Sequence, residues 1–265
     1  MMAQATRDAP LEGTRPKGTQ TEREATEHVR EMFSRIAPRY DFLNHLLSFS
    51  LDYGWRRHAA QRFERELRRP EARVLDLCCG TGDLTLALNR ERARVIGDEG
   101  ARRMPVIGCD FARPMLELAQ VKAKNQEHAA VFMAADAMNL PFPDGSFDLA
   151  TSAFGFRNLV NYEEGLREIA RVLKPGGRLG ILECSQPTGP MAGIFRFYFQ
   201  RVLPIVGGAI SGSGEAYAYL PSSVEKFPSG SELAALMEKT GFGDVRVESW
   251  NFGSVLLHTA TRKQG

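Results

Sequence analysis

Gly80, Thr81 and Gly82 follow an apolar run, Val74 to Cys79, that carries one acidic residue, Asp76. Asp83 then opens a helical pattern. The order reads as strand, tight turn and helix N-terminus. Glycine has no Cβ, so a ligand can lie against the backbone of such a turn. Asp76, Gly80, Thr81 and Gly82 are therefore the first candidate binding residues. The third glycine of a dinucleotide fingerprint is missing, because Leu86 and Ala87 follow instead. No Gly-Lys-Ser/Thr follows either, which excludes a phosphate-gripping loop. What remains suits a nucleoside that needs no hold on a phosphate, and S-adenosylmethionine is the commonest such ligand. A plain structural turn is the competing reading of the glycine pair alone.

Three further loops should converge on the same place. Asp110 ends the apolar run Val106 to Cys109, where a carboxylate can accept from both ribose hydroxyls. Its distance from the glycines exceeds the usual ~20 residues. A surface insertion from Gly97 to Pro105 would account for the excess. Asp98 is the rival at shorter spacing. Asp110 is preferred because an apolar strand precedes it and a helix led by Pro114 follows. Asp136 and Ala137 come next. The carboxylate suits an adenine amino group and the Ala137 N–H a ring nitrogen, unless Asp136 is only a solvated loop acid. Arg157 and Asn158 follow the run Phe147 to Ser152, where the transferred group should sit. Arg157 paired with a surface acid is the alternative.

These loops need a scaffold. Helical patterns fill Glu22 to Arg69, the first ended by Pro38, with others at Tyr40 to Ser48 and Trp55 to Leu67. Strands are expected at Arg73–Cys78, Val106–Asp110, Val131–Ala134, Phe147–Ser152 and Arg178–Glu183. Helices are expected between them at Asp83–Arg90, Pro114–Asn125 and Tyr162–Val172. Such alternation means an α/β fold with a parallel sheet covered on both faces. A helix at Ser231–Thr240 then precedes two strands, Val245–Ser249 and Val255–Ala260, whose short link favours an antiparallel hairpin. A Rossmann-like doubly wound sheet with its last strand antiparallel is the class I methyltransferase architecture. The segmentation is therefore a lead-in 1–21 expected to be disordered and a single methyltransferase domain 22–265. Within that domain lie N-terminal helices 22–69, a cofactor-binding core 70–187, an insertion 188–228, and the last helix and hairpin 229–265. The insertion is strongly apolar from Met191 to Ile210, interrupted by Arg196, Gln200 and Arg201. It reads either as a buried core helix or as a lid touching the membrane interface.

The chain has 265 residues, enough for one sizeable domain with additions. A formal net charge of +2 gives no reason to expect a nucleic-acid partner. The four cysteines, Cys78, Cys79, Cys109 and Cys184, form no CxxC pair, so no zinc site or disulfide framework is expected. Buried thiols fit a reducing cytosol. No apolar run is long enough to span a bilayer, and no apolar signal core opens the sequence. The expected location is cytoplasmic, with room for peripheral contact at the inner face of the cell membrane.

Several motifs now combine. They are Tyr40-Asp41-Phe42-Leu43-Asn44 with Ser48 and Trp55-Arg56, then Phe154-Gly155-x-Arg157-Asn158, then Arg171-Val172-Leu173-Lys174-Pro175-Gly176-Gly177-Arg178 through Leu182-Glu183 and Ser185. Tyr219-Leu220, Phe227-Pro228, Gly241-Phe242, Phe252-Gly253 and His258 complete the set. On these the chain resembles the methyltransferases that C-methylate the ring in ubiquinone and menaquinone biosynthesis. The resemblance implies cofactor contacts at Thr81, Asp110, Asp136 and Ala137. Leu43 replaces a more usual Met, and Asp52 stands where many ubiquinone-type members have His. Cys78-Cys79 and Ser185-Gln186-Pro187 look more like members devoted to menaquinone.

The implied function is S-adenosylmethionine-dependent C-methylation of a prenylated quinol, demethylmenaquinol first and the ubiquinone-pathway ring as the alternative. A sulfonium methyl is already electrophilic, so no metal is expected. The ring carbon must be activated by loss of a phenolic proton. Arg157 would steady the phenolate electrostatically and Asn158 by hydrogen bonding. Tyr40, Asp83 and His258 are candidates for a proton-accepting network, His258 being the one better read as a structural strand residue. A fold that binds S-adenosylmethionine or a partner without catalysis is the reading from a different class. The expected partners are the quinol and a membrane surface, with no nucleic acid and with room for an oligomer.

Overall fold

The computed structural model describes residues 13–16, 18–125, 130–187, 193, 197, 201 and 214–264. Helix α1 runs Glu22–Leu47, with Pro38 inside it rather than at its end. An interior proline costs about 3 kcal/mol. Val29 is buried, and Met32 and Ile36 pack one face of α1 against Ala112 and Met115; each such side chain contributes roughly 1.5–3 kcal/mol. Packing therefore outweighs the break. Helices α2 (Leu51–Gln61) and α3 (Glu64–Leu67) follow.

The sheet comprises β1 (Val74–Leu77), β2 (Ile107–Asp110), β3 (Val131–Ala134), β4 (Phe147–Ala153), β5 (Leu173–Cys184), β6 (Phe242–Trp250) and β7 (Val255–Arg262). Its order is β3-β2-β1-β4-β5-β7-β6. The first five strands are parallel and β7 is antiparallel to both neighbours. Helices α4 (Asp83–Arg103), α5 (Arg113–Asn125) and α6 (Tyr162–Val172) join the parallel strands. Helices α7 (Gly214–Lys226) and α8 (Gly230–Lys239) precede the closing hairpin. Ser229 and Glu232 start α8 with a reciprocal capping box. Strand order reverses between β1 and β4, and ligands of such sheets bind outside the carboxyl ends at that point.

Period-two alternation sorts the core. Leu75 and Leu77 face α6 and α8 with Phe147, Leu166 and Met237. Val74 and Leu149 face α2, α3 and α4 with Phe63 and Leu88. Asp76 shares that second face, which decides its role below.

Three expectations change. The stretch Gly97 to Pro105 is mostly helix, because α4 continues to Arg103 past a kink where Gly97 takes φ +79°. β5 begins early, with Leu173 pairing Phe147 and Arg178 pairing Leu149, so residues 174–177 bulge outward. Within the supposed disordered lead-in, Gly13 and Thr14 are buried. Most of Met191 to Ile210 lies outside the described residues, Phe195, Arg196 and Phe199 included. Among the described residues, no helix is long and apolar enough to cross a membrane.

Candidate active site

A cleft lies at the carboxyl ends of β1 to β4. Its floor is Leu77, Cys78 and Gly80 after β1, Cys109 to Phe111 at β2, Ala135 to Met138 after β3 and Phe154, Gly155 and Asn158 after β4. Thr26, Phe33 and Tyr40 of α1 form its roof, a contribution that helical periodicity alone does not announce. Cys78 and Phe154 hold φ values of +51° and +58°. Backbone held in this region by non-glycine residues is costly and concentrates at functional sites.

Gly80 supplies the cradle. It has φ +54°, and a Cβ there would meet nothing nearer than Tyr40 Cε1 at 3.9 Å, so it would fill the cleft instead. Gly82 serves packing, because a Cβ there would lie 2.8 Å from Phe132 Cζ and 3.2 Å from Ala119 Cβ. Asp110 ties two walls together. Its Oδ2 accepts from the Gly80 N–H at 2.9 Å and its Oδ1 from the Ala112 N–H at 2.9 Å. Burial lifts its carboxyl above the ordinary value, and backbone N–H groups of Ala112, Gly80 and Phe111 oppose the rise. Two backbone bonds leave lone pairs for a diol. Its rival Asp98 is exposed on α4. Asp136 accepts from the Met138 N–H at 2.9 Å, with buried Ala137 between them. An acid at each of two strand ends, a glycine floor and apolar walls fit S-adenosylmethionine. Asp110→Ala is expected to weaken its binding by roughly 1–3 kcal/mol and Asp98→Ala hardly at all. Calorimetric titration of both variants checks this, and a loss confined to Asp98→Ala would reverse the assignment.

Five expected site residues, Asp76, Thr81, Asp83, Arg157 and His258, point elsewhere. Asp76 is fully buried beneath α4, where Oδ2 accepts from Thr85 Oγ1 at 2.6 Å and Oδ1 from Thr151 Oγ1 at 3.0 Å. It braces the loop without lining the cleft. Burial, partly offset by those hydroxyls, pushes its carboxyl up to about 7. The folded protein therefore favours protonated Asp76. That stability is complete below the ordinary value of 3.8 and is lost as pH rises through about 7. Asp76→Asn is expected to remove a pH-dependent loss on the order of a few kcal/mol. Unfolding of both proteins from pH 4 to 8 tests it, and parallel curves would refute it.

Thr81 and Asp83 belong to a neighbouring charged cluster. Thr81 Oγ1 donates to Asp41 and accepts from Lys122 Nζ at 3.1 Å. The Lys122 ammonium also lies 2.7 Å from Asp41 and 2.6 Å from Asp83. Asp41, His45 and Asp83 bring donor atoms within 4.8 Å of one another, and Lys122 supplies the positive charge among them. His45 is held in turn by Asp52, whose buried carboxylate also accepts from Ser48 and Arg56. His258 is buried under α8 with Nε2 3.0 Å from the Gly230 carbonyl, and burial lowers its pKa.

Arg157 is turned inward. Its Nη1 donates to Glu183 Oε2 at 2.9 Å and to the Phe154 carbonyl, and its backbone N–H reaches Glu183 Oε1 at 3.1 Å. Burial disfavours the guanidinium charge, but Glu183 first, with Cys184 and Tyr40, together more than compensate, so its pKa is raised. Glu183 was visible only as the last acid of an apolar strand. Burial likewise raises the pKa of the Tyr40 hydroxyl, while Arg157, and less strongly Arg56, pull it down. Tyr40 is thus a donor at neutral pH rather than a ready base. The Arg157 guanidinium, which does not line the cleft, opposes the rise that burial causes at Tyr40.

The model of the ubiE/COQ5 methyltransferase family matches residues 20–262. A demethylmenaquinone methyltransferase of Thermus thermophilus is 51% identical over 232 residues, covering 87% of this chain and all of that one. A ubiquinone/menaquinone biosynthesis C-methyltransferase UbiE of Geobacter sulfurreducens is 43% identical, covering 90% of each chain. The crystal structure of an S-adenosylmethionine-dependent methyltransferase from Thermotoga maritima, described as a possible histamine N-methyltransferase, superposes with a TM-score of 0.60 at 20% identity. It covers 89% of this chain and all of that one, and its likeness extends to the fold.

Proposed function

The chain belongs to the ubiE/COQ5 methyltransferase family, and from that premise we propose that it methylates a ring carbon of a prenylated quinol, demethylmenaquinol before the ubiquinone-pathway ring. S-adenosylmethionine supplies an electrophilic methyl when bound. Gly80, Asp110, Asp136 and Ala137 are the residues that would hold it. The carrying observation is the family match over residues 20–262 together with an apolar cleft, lined by Tyr40 and Asn158, at the carboxyl ends of the strands. Burial on balance raises the pKa of the Tyr40 hydroxyl, and the field of the Arg157 guanidinium opposes that rise, so a quinol hydroxyl beside it would ionise more readily than in the same cleft without that charge. The phenolate pushes charge into the ring, and the ring carbon becomes the nucleophile. Arg157 acts through that field, held in place by Glu183. Asn158 lines the cleft and acts by hydrogen bonding, while Tyr40 donates. The cleft's apolar walls, Phe33, Phe111 and Phe154 among them, hold an aromatic ring and exclude water.

A substrate panel on the purified protein tests this reading. Methyl transfer should occur to reduced demethylmenaquinone, less well to a ubiquinone-pathway quinol, and not to RNA. Binding of S-adenosylmethionine without transfer to any quinol would instead favour the non-catalytic reading.

The same proposal includes the membrane. A prenyl tail resides in lipid, and Met191 to Ile210 is the greasiest stretch of the sequence. We place it at the bilayer surface, with Arg196 and Arg201 at headgroup level. Phe195→Ser with Phe199→Ser should reduce flotation with anionic vesicles and lower activity on long-tailed quinols more than on a tail-less analogue. Unchanged flotation with equal loss on both substrates would make the segment plain core.

A further inference from the structure

Residues Gly13 to Pro16 run beside the loop that carries Asn158. The Gly13 N–H donates to the Val160 carbonyl at 3.1 Å and the Thr14 N–H to the Leu159 carbonyl at 2.7 Å. A Cβ at Gly13 would lie 2.2 Å from the Leu159 oxygen, so only glycine permits this approach. Arg15 Nη1 reaches the Val160 carbonyl at 2.7 Å, and its Nη2 pairs with Glu22 of α1 at 3.1 Å. Lys226 of α7 donates to the Arg15 carbonyl at 3.4 Å. The segment is thus a strap fastened to two helices and to Leu159 and Val160, which themselves line the cleft.

Its side chains reach further. The Thr14 hydroxyl, on a residue only 3% exposed, lies 3.0 Å from the Tyr219 hydroxyl. Tyr219 donates to Asn158 Oδ1 at 3.0 Å. A phenol has one proton to give, so the Thr14 hydroxyl must be the donor to Tyr219. The direction of the chain is then fixed from Thr14 to Tyr219 to Asn158. With its oxygen turned to Tyr219, Asn158 has its amide nitrogen on the other branch to offer a ligand. That is the polarity a phenolate oxygen requires. Rotated by half a turn, the same amide would face the phenolate with an acceptor and repel it.

We propose that Thr14 and Tyr219 are positioning residues, which hold the Asn158 amide with its N–H groups toward the reacting quinol oxygen. The strap thereby completes the active site from outside the sheet. This inference rests on the quinol reading above.

Tyr219→Phe keeps the ring and removes the donor. It should lower kcat on reduced demethylmenaquinone ten- to a hundredfold, leave the KM for S-adenosylmethionine unchanged and barely alter the melting temperature. Thr14→Val, which serves also if Tyr219→Phe does not fold, should show a smaller loss of the same kind. In an Asn158→Ala background, Tyr219→Phe should cost nothing further, because no amide is left to orient. Wild-type kcat in Tyr219→Phe, or an undiminished loss in that background, overturns the proposal. Amide exchange reads the strap without substrate. A protected Thr14 amide in a protein inactive on every quinol would sink the quinol reading and keep the strap. An unprotected Thr14 amide in an active enzyme would sink the strap.

Discussion

Arg157→Met is expected to lower turnover on reduced demethylmenaquinone by a hundredfold or more and folding stability by about 3–5 kcal/mol. The two losses have separate causes. Turnover falls because the cleft loses the positive field that favours a phenolate. Stability falls because Glu183, 1% exposed, loses its only paired opposite charge among the described residues and keeps just the backbone N–H groups of Arg157 and Cys184. Combining Arg157→Met with Glu183→Gln should restore most of the stability, since neither charge is then buried alone, while turnover stays low. Urea unfolding and steady-state kinetics on the single and double variants separate the two effects. If the double variant also recovers turnover, Arg157 matters only to the fold.

The second large effect concerns the oxidation state of the ring. Only the hydroquinone has a phenolic proton to lose, so the oxidised quinone offers no charged ring carbon. Methyl transfer in a strictly anaerobic assay should therefore fall to background when the chemical reductant is omitted. Binding of S-adenosylmethionine, followed by calorimetry, should not change. Equal rates with and without reductant would refute activation through the phenolate, whatever the role of Arg157.

Element positions were legible because periodicity and length are local signals. Val131–Ala134 and Tyr162–Val172 fall where the pattern puts them, and the antiparallel hairpin followed from a short link between two strands. What failed was whatever depends on a partner distant in sequence. Pro38 reads as a helix end until the packing of Met32 and Ile36 against Met115 of α5 is known. Asp76 reads as a ligand residue until its place in the strand's alternation turns it toward Thr85 on α4. Asp83 reads as a site acid until α5 delivers Lys122 beside it. Arg157 falls at the expected strand end, but its direction depends on Glu183 in the next strand, 26 residues later. Thr14 and Tyr219 lie 205 residues apart, and no periodicity relates them. The placement of Asp110, Asp136 and Asn158 at the cleft was readable from the sequence because each ends or follows an apolar strand, and strand ends of a doubly wound sheet converge.

The central claim is that a methyl group passes from S-adenosylmethionine to a ring carbon of a prenylated quinol. Reduced demethylmenaquinone, the purified protein and S-adenosylmethionine carrying a carbon-13 methyl, mixed without oxygen, test it in one tube. The account predicts a single labelled methyl bonded to the quinone ring carbon, read by carbon-13 resonance after extraction. Label on a quinol oxygen, or no label in the quinone from a protein that binds S-adenosylmethionine, would contradict it.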